Sequence, residues 1–235
     1  MRFVVFRQAA AAAVAGILLA GCVTQTQTHV AELRRSAPNP AIVLMPIDVE
    51  LMEMNLGGVY EPKPEWTEAA RSLMVDELRA QGARLGFRLV EFSRDFKGTR
   101  GEEELVDQLS RLHAVVGRSI RLHRYHMRLP SLGESPQWSL GEDVRVLGER
   151  TGADYALFLY VRDSYASDAR KVMMVAGLAM GAAILGGLQE GFASLVDLRT
   201  GEIVWFNELG RLTGDLRSAA PAAETVKVLL TEFPK

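Results

Sequence analysis

Apolar positions along the chain repeat with two rhythms, and the changes between them mark the elements. The run "AIVLMPIDVEL" (residues 41–51) is β-branched and apolar and carries a proline that ends it, the pattern of a buried first strand. A proline-rich loop, "GGVYEPKPEW", follows. Trp66, Ala70, Leu73, Met74 and Leu78 then recur at helical spacing, and "GFRLVEF" (residues 86–92) returns as a strand, so the first unit reads strand, helix, strand. Further on, Leu105, Leu109, Leu112, Val116 and Ile120 form one stripe of a long helix. Glu102, Glu103 and Glu104 stand at its N-terminal end, where the helix dipole favours them.

The second half begins with a short helix from about Leu140 that breaks at Gly152. Residues 154–162 are apolar nearly throughout, as a central strand covered on both faces would be. "GFASLVDLRTGEIVWFNELGR" predicts strands over 192–198 and 202–208, joined by a glycine turn at "RTGE". "AAPAAETVKVLLTEF" has the proline-then-apolar pattern of a closing helix. The predicted fold class is α/β, a mixed sheet of about five strands with helices packed on it, in one domain over residues 41–235.

Between the central strand and the hairpin stands "VMMVAGLAMGAAILGGLQEG", in which Val172 to Leu188 is 17 residues without a charge. As a helix it would measure about 26 Å against a hydrocarbon core of about 30 Å. If its flanking strands share one sheet, both ends lie on one side of any membrane, which excludes a single pass. Gly177 and Gly181, then Gly187 and Gly191, are four apart, the small-xxx-small spacing that lets helices approach closely. The prediction is a glycine-rich helix or helical hairpin inserted over residues 164–191, serving subunit contact or a shallow membrane dip. The bland alternative is a helix buried in its own domain.

The N-terminus changes the picture most. Arg2 and Arg7 precede the short apolar core "AAAAAVAGILL", which closes on Leu19-Ala20-Gly21-Cys22 around the single cysteine of the chain. This resembles the bacterial lipobox, which implies removal of residues 1–21 and covalent diacylglycerol and N-acyl chains on Cys22. Val23 follows where an aspartate would resemble an inner-membrane retention signal, so the expected location is the outer membrane, lipid-anchored and facing the periplasm. Residues 22–40 read as a polar, proline-bearing flexible tether. One cysteine excludes an intramolecular disulfide framework and a cysteine zinc cage. A formal net charge of -2 gives no basic excess for nucleic acid, and none is expected as a partner.

The run "TGADYALFLYVRDS" followed after a spacer by "FASLVDLRTGEIVW" resembles the periplasmic domain of the curli secretion channel lipoprotein (CsgG) family and its TolB N-terminal-like and penicillin-binding-protein activator relatives. "IVLMPID" fits the first strand of those proteins, and the likeness covers roughly residues 41–231. It implies a mixed α/β sandwich of envelope machinery, and no catalysis.

Candidate chemistry is sparse. His123 and His126 could form two edges of a metal site, but further ligands are not in evidence; no metal and no cofactor beyond the acyl groups is expected. Arg118, Arg121, Arg124 and Arg128 make a basic stripe at helical spacing that would suit lipid phosphate or an acidic partner, or simply a solvated face. Asp154, Asp163, Asp168, Asp197 and Glu202 could be searched for an acid/base pair, but Asp154 and Asp197 sit at strand boundaries, where turn and capping roles suffice. Nucleophile elbow, phosphate loop and dinucleotide patterns are missing. The expectation is therefore a non-enzymatic, lipid-anchored assembly or scaffolding component, homo-oligomeric and in contact with other envelope proteins. The alternatives are an export-pore subunit using residues 164–191 and an envelope hydrolase.

Overall fold

The computed structural model describes residues 25–30, 40–92, 100–127, 129–132, 136–212 and 214–234. In chain order the elements are β1 (Gln25–Val30), β2 (Ala41–Leu44), β3 (Asp48–Met54), β4 (Tyr60–Pro62), α1 (Pro64–Leu85), β5 (Arg88–Glu91), α2 (Arg100–Ile120), α3 (Arg145–Thr151), β6 (Tyr155–Ala166), α4 (Asp168–Ala179), β7 (Gln189–Asp197), β8 (Ile203–Arg211) and α5 (Ala219–Leu229). A π-helical turn, Arg121–His126, extends α2.

One mixed sheet runs β1-β8-β7-β6-β2-β5, with β3 also paired to β6 and β4 to β3. β6 is its hinge of direction. It runs parallel to β2 and β3 on one side and antiparallel to β7 on the other. Because successive side chains on a strand point to opposite faces, the apolar run of β6 feeds two cores. Leu157, Leu159 and Val161 pack with Trp205 beneath α1 and α5, through Met74, Leu78, Val226 and Leu229. Ala156, Phe158 and Tyr160 pack with Phe192 and Phe206 beneath α2 and α3, through Leu109, Ile120 and Leu147. The result is a three-layer sandwich, and the central strand and the hairpin stand where the sequence pattern puts them.

Four details differ from expectation. Where about five strands were predicted the sheet has eight among the described residues, partly because the run at 41–51 is not one strand ended by proline. It breaks around Pro46 and resumes as β3 along the same side of β6. Within the expected tether, Gln25–Val30 pairs with β8, from Gln25 against Gly210 to Val30 against Trp205. The open edge of β8 offers unpaired backbone groups that a passing strand can satisfy. The signal segment and Cys22 lie outside the described residues.

The third difference is rotational. α2 buries Val106, Leu109, His113, Ala114 and Ile120, while Leu112 of the predicted stripe stays 40% exposed. The cause is Gly117: a Cβ there would sit 2.0 Å from Phe192 Cε2, so the helix turns its smallest residues to the ring. The fourth concerns the insertion, of which only the first part is helical.

Candidate interaction surface

The insertion begins where β6 runs out. Ser167 caps α4, its Oγ accepting from the Arg170 N–H at 3.3 Å, and its own N–H donates to Met54 O at 2.9 Å. α4 stops after 12 residues at Met180 and Gly181, the latter in the left-handed region at φ 81°. The Ala182 N–H donates back to Gly177 O at 2.8 Å and turns the chain. Residues 182–188 then return without helix to the start of β7. Ser164 fastens this return: its N–H donates to Leu188 O at 3.0 Å, and its Oγ accepts from the Leu188 N–H at 2.9 Å.

Inside this lobe the glycines serve the chain's own packing. A Cβ at Gly177 would lie 2.7 Å from Ile184 Cδ1, and one at Gly187 would lie 2.1 Å from Ser164 O. Gly191 belongs to β7, where a Cβ would lie 2.4 Å from Tyr160 O. The four glycines therefore do not form a small-residue helix face. Gly177 and Gly181 close α4 against the return, whereas Gly187 and Gly191 let it lie against β6.

Arg170 ties the lobe to a second excursion, the turn between β3 and β4. It is 9% exposed; its Nε donates to Leu185 O at 3.0 Å and its Nη1 to Asn55 O and Leu56 O at 3.4 and 3.5 Å. One guanidinium thus reaches three carbonyls of two separate segments, of which Asn55 O also accepts from the Gly58 N–H at 3.0 Å. Asn55 shapes the turn, its Oδ1 accepting from the Val59 N–H at 3.0 Å.

The inward side is thus closed, and the outward side is apolar. Val172, Val175, Leu178, Met180 and Leu185 are 71%, 71%, 66%, 81% and 64% exposed, with Leu56, Val59 and Tyr60 of the neighbouring turn also exposed. Lys171 and Asp168 pair at the base of α4 at 2.8 Å. Scattered exposed apolar residues are ordinary, but a contiguous charge-free group on a rigid support marks a contact surface.

A buried polar layer underlies the lobe. Gln189 donates to Asp163 Oδ2 at 2.6 Å, Tyr165 donates to the same oxygen, and the Arg211 Nε donates to Gln189 Oε1 at 2.6 Å. Arg211 also reaches Thr225 and Glu224 of α5. Burial pushes the Asp163 carboxyl up to about 6, against the opposing pull of the hydrogen bonds from Tyr165 and Gln189.

The basic stripe is partly turned inward. Arg121 donates to Glu208 at 2.9 Å and to Glu190 at 3.2 Å. Burial opposes its charge, yet the bond to Glu208 and the attraction of both acids hold its pKa above the ordinary value. Arg118 lies 5.6 Å over the Tyr160 ring, Arg124 sits half-buried in the π turn, and Arg128 lies outside the described residues. Four parallel free cations are therefore not what this face presents.

His123 and His126 diverge, the first toward Met127 O at 3.4 Å and the second toward Glu208 at 3.0 Å. Asp154 accepts from the Ala41 N–H and Asp197 from the Arg199 N–H, the capping and turn roles their positions suggest. Asp168 opens α4, and Glu202 leads into β8.

No family model matches the chain, and no curated protein matches it. Solved structures do. The chain is similar to the PelC dodecamer from Paraburkholderia phytofirmans, at 14% identity over 89% of this chain and 96% of that chain, with a TM-score of 0.39. It is also similar to a methionine-for-leucine variant of that dodecamer, at 14% identity over 89% and 95%, with a TM-score of 0.38.

Arg170, Ser164 and the turn at Asn55 are functional supports that periodicity does not reveal. Their one signal is the motif "SDAR", a cap followed by a lone arginine at the threshold of a charge-free run.

Proposed function

We propose that this protein is a non-enzymatic assembly or scaffolding module of the cell envelope, held at the periplasmic face of the outer membrane by acyl chains on Cys22. It acts in homo-oligomers and with other envelope proteins, and the apolar lobe at the end of β6 is its contact surface toward the envelope. A relation to the curli secretion channel lipoproteins belongs to this reading, supported by the central strand and hairpin motifs. The observation that carries it is the lobe itself: a charge-free surface of α4 and its return, exposed yet braced by Ser164 and Arg170.

Val175→Asp combined with Leu178→Asp tests the reading. Both side chains are exposed, so thermal stability should change by less than about 0.5 kcal/mol equivalent per site. Association, read as native mass and as co-purification with envelope membranes, should fall. Unchanged association in the folded double variant would refute a contact role for the lobe.

A further inference from the structure

The pairing of β1 bears on what covers the lobe. β1 runs antiparallel to β8, so its first residue, Gln25, lies opposite Gly210, which in turn lies opposite Glu190 of β7. Glu190 pairs with Arg162 near the C-terminal end of β6. The chain therefore enters the sheet at the end from which α4 and the return project. The tip between β3 and β4 is at that end too, since Met54 pairs with Ala166.

Cys22 precedes Gln25 by three residues. At about 3.5 Å per extended residue, three residues let the Cys22 backbone reach no more than about 11 Å from the strand's start. The opposite end of the sheet carries the turn from Asp197 to Gly201, with Arg199 exposed and Arg145 Nε donating to Arg199 O.

Resting on the lipidation reading above, we infer that the lobe of residues 172–188, together with the Leu56–Val59 tip, lies against the lipid surface into which the Cys22 acyl chains insert. The strand register leaves a connection too short for the body to hang far from the bilayer, and the end it holds toward the bilayer is the one from which the charge-free lobe projects. α4 is about 18 Å long at 1.5 Å per residue, enough to lie in the interfacial region and not to cross it. Among the described residues no helix is long and apolar enough to cross a membrane. Acyl chains and apolar lobe then form a two-point attachment, which fixes the tilt of the sheet as a single flexible anchor would not.

Because Cys22 is the only cysteine, a second one at a chosen site takes a thiol label alone when Cys22 is acylated. Full-length protein carrying Leu178→Cys or Arg199→Cys is labelled with a polarity-sensitive nitrobenzoxadiazole dye. It is reconstituted into vesicles of phosphatidylethanolamine and phosphatidylglycerol, with and without nitroxide-bearing lipid. The label at 178 should shift to the blue and be quenched by the nitroxide lipid, and the label at 199 should do neither. A label at 178 shielded from water but not quenched by lipid, and cross-linking to a second copy, would overturn the lipid assignment while leaving the contact role of the lobe intact. A label at 178 in water under both conditions would overturn both. Labelling of the parent chain would show Cys22 free and remove the lipidation premise itself.

Discussion

Two buried groups set opposite acid responses. His113 is enclosed by Phe158 and Phe192, with its Nε2 2.9 Å from Ser194 Oγ, and burial holds its pKa down to about 3. Its contribution is complete above the unfolded value of 6.5 and is lost as pH falls toward 3, on the order of 5 kcal/mol at most. Asp163 behaves inversely. Raised to about 6 from 3.8, it favours the fold at low pH and loses that contribution as pH rises through this window, on the order of 3 kcal/mol. Between about pH 4 and 6 the two slopes oppose one another and nearly cancel. Asp163→Asn should therefore expose the His113 slope, so that the variant's unfolding free energy rises with pH from 4 to 6 while the parent's stays nearly level. Urea titrations at several pH values check this, and a variant as level as the parent would contradict the assignment. The sequence names Asp163 only as one acid among five and does not mark His113, whose burial depends on which face of α2 meets the sheet, as Gly117 decides in three dimensions.

Among the elements, legibility followed local signal. β6 and the β7–β8 hairpin are readable from an unbroken apolar run and a glycine turn, whose Gly201 adopts φ 79°. α1 is readable from spacing and from proline at its start. The break at Pro46 and the capture of β1 are not, since both depend on strands more than a hundred residues away in the chain. The lobe misleads for another reason: its apolar composition suits a helix throughout, but the anchoring of Leu188 by Ser164 and the left-handed turn at Gly181 force an extended return. Arg170 then decides whether lobe and neighbouring tip move as one body. Arg170→Met keeps the stem and removes the donors, leaving the carbonyls of Leu185, Asn55 and Leu56 without it. The expected loss is about 1–3 kcal/mol, confined to this region. Hydrogen exchange should show reduced protection over residues 168–188 and 55–59, with β6 and β7 unchanged; uniform loss would mean that Arg170 supports the whole sheet.

At the scale of the molecule, the proposed attachment divides the task between acyl chains on Cys22 and the apolar lobe. Acyl chains supply about 0.8 kcal/mol per buried methylene, far more than one short helix face can. Cys22→Ala, exported behind a cleavable signal in place of residues 1–21, should leave the membrane pellet almost completely and melt as the parent body does. Tight retention of this variant would make the lobe the principal anchor. In the sequence the lipobox-like segment and the uncharged run are unrelated; it is the register of β1 that starts the first described strand at the end of the sheet from which the uncharged lobe projects.

That register also has a mechanical meaning. With Cys22 acylated as proposed, a pull on the acyl chains would act along β1 from its N-terminal end, in line with the strand axis, while the body resists through β8. The rungs from Gln25 against Gly210 to Val30 against Trp205 are loaded together in shear, instead of opening one after another like a zipper. Drag on the envelope would then be shared across the whole ladder, whose hydrogen bonds would have to yield together before the strand came free.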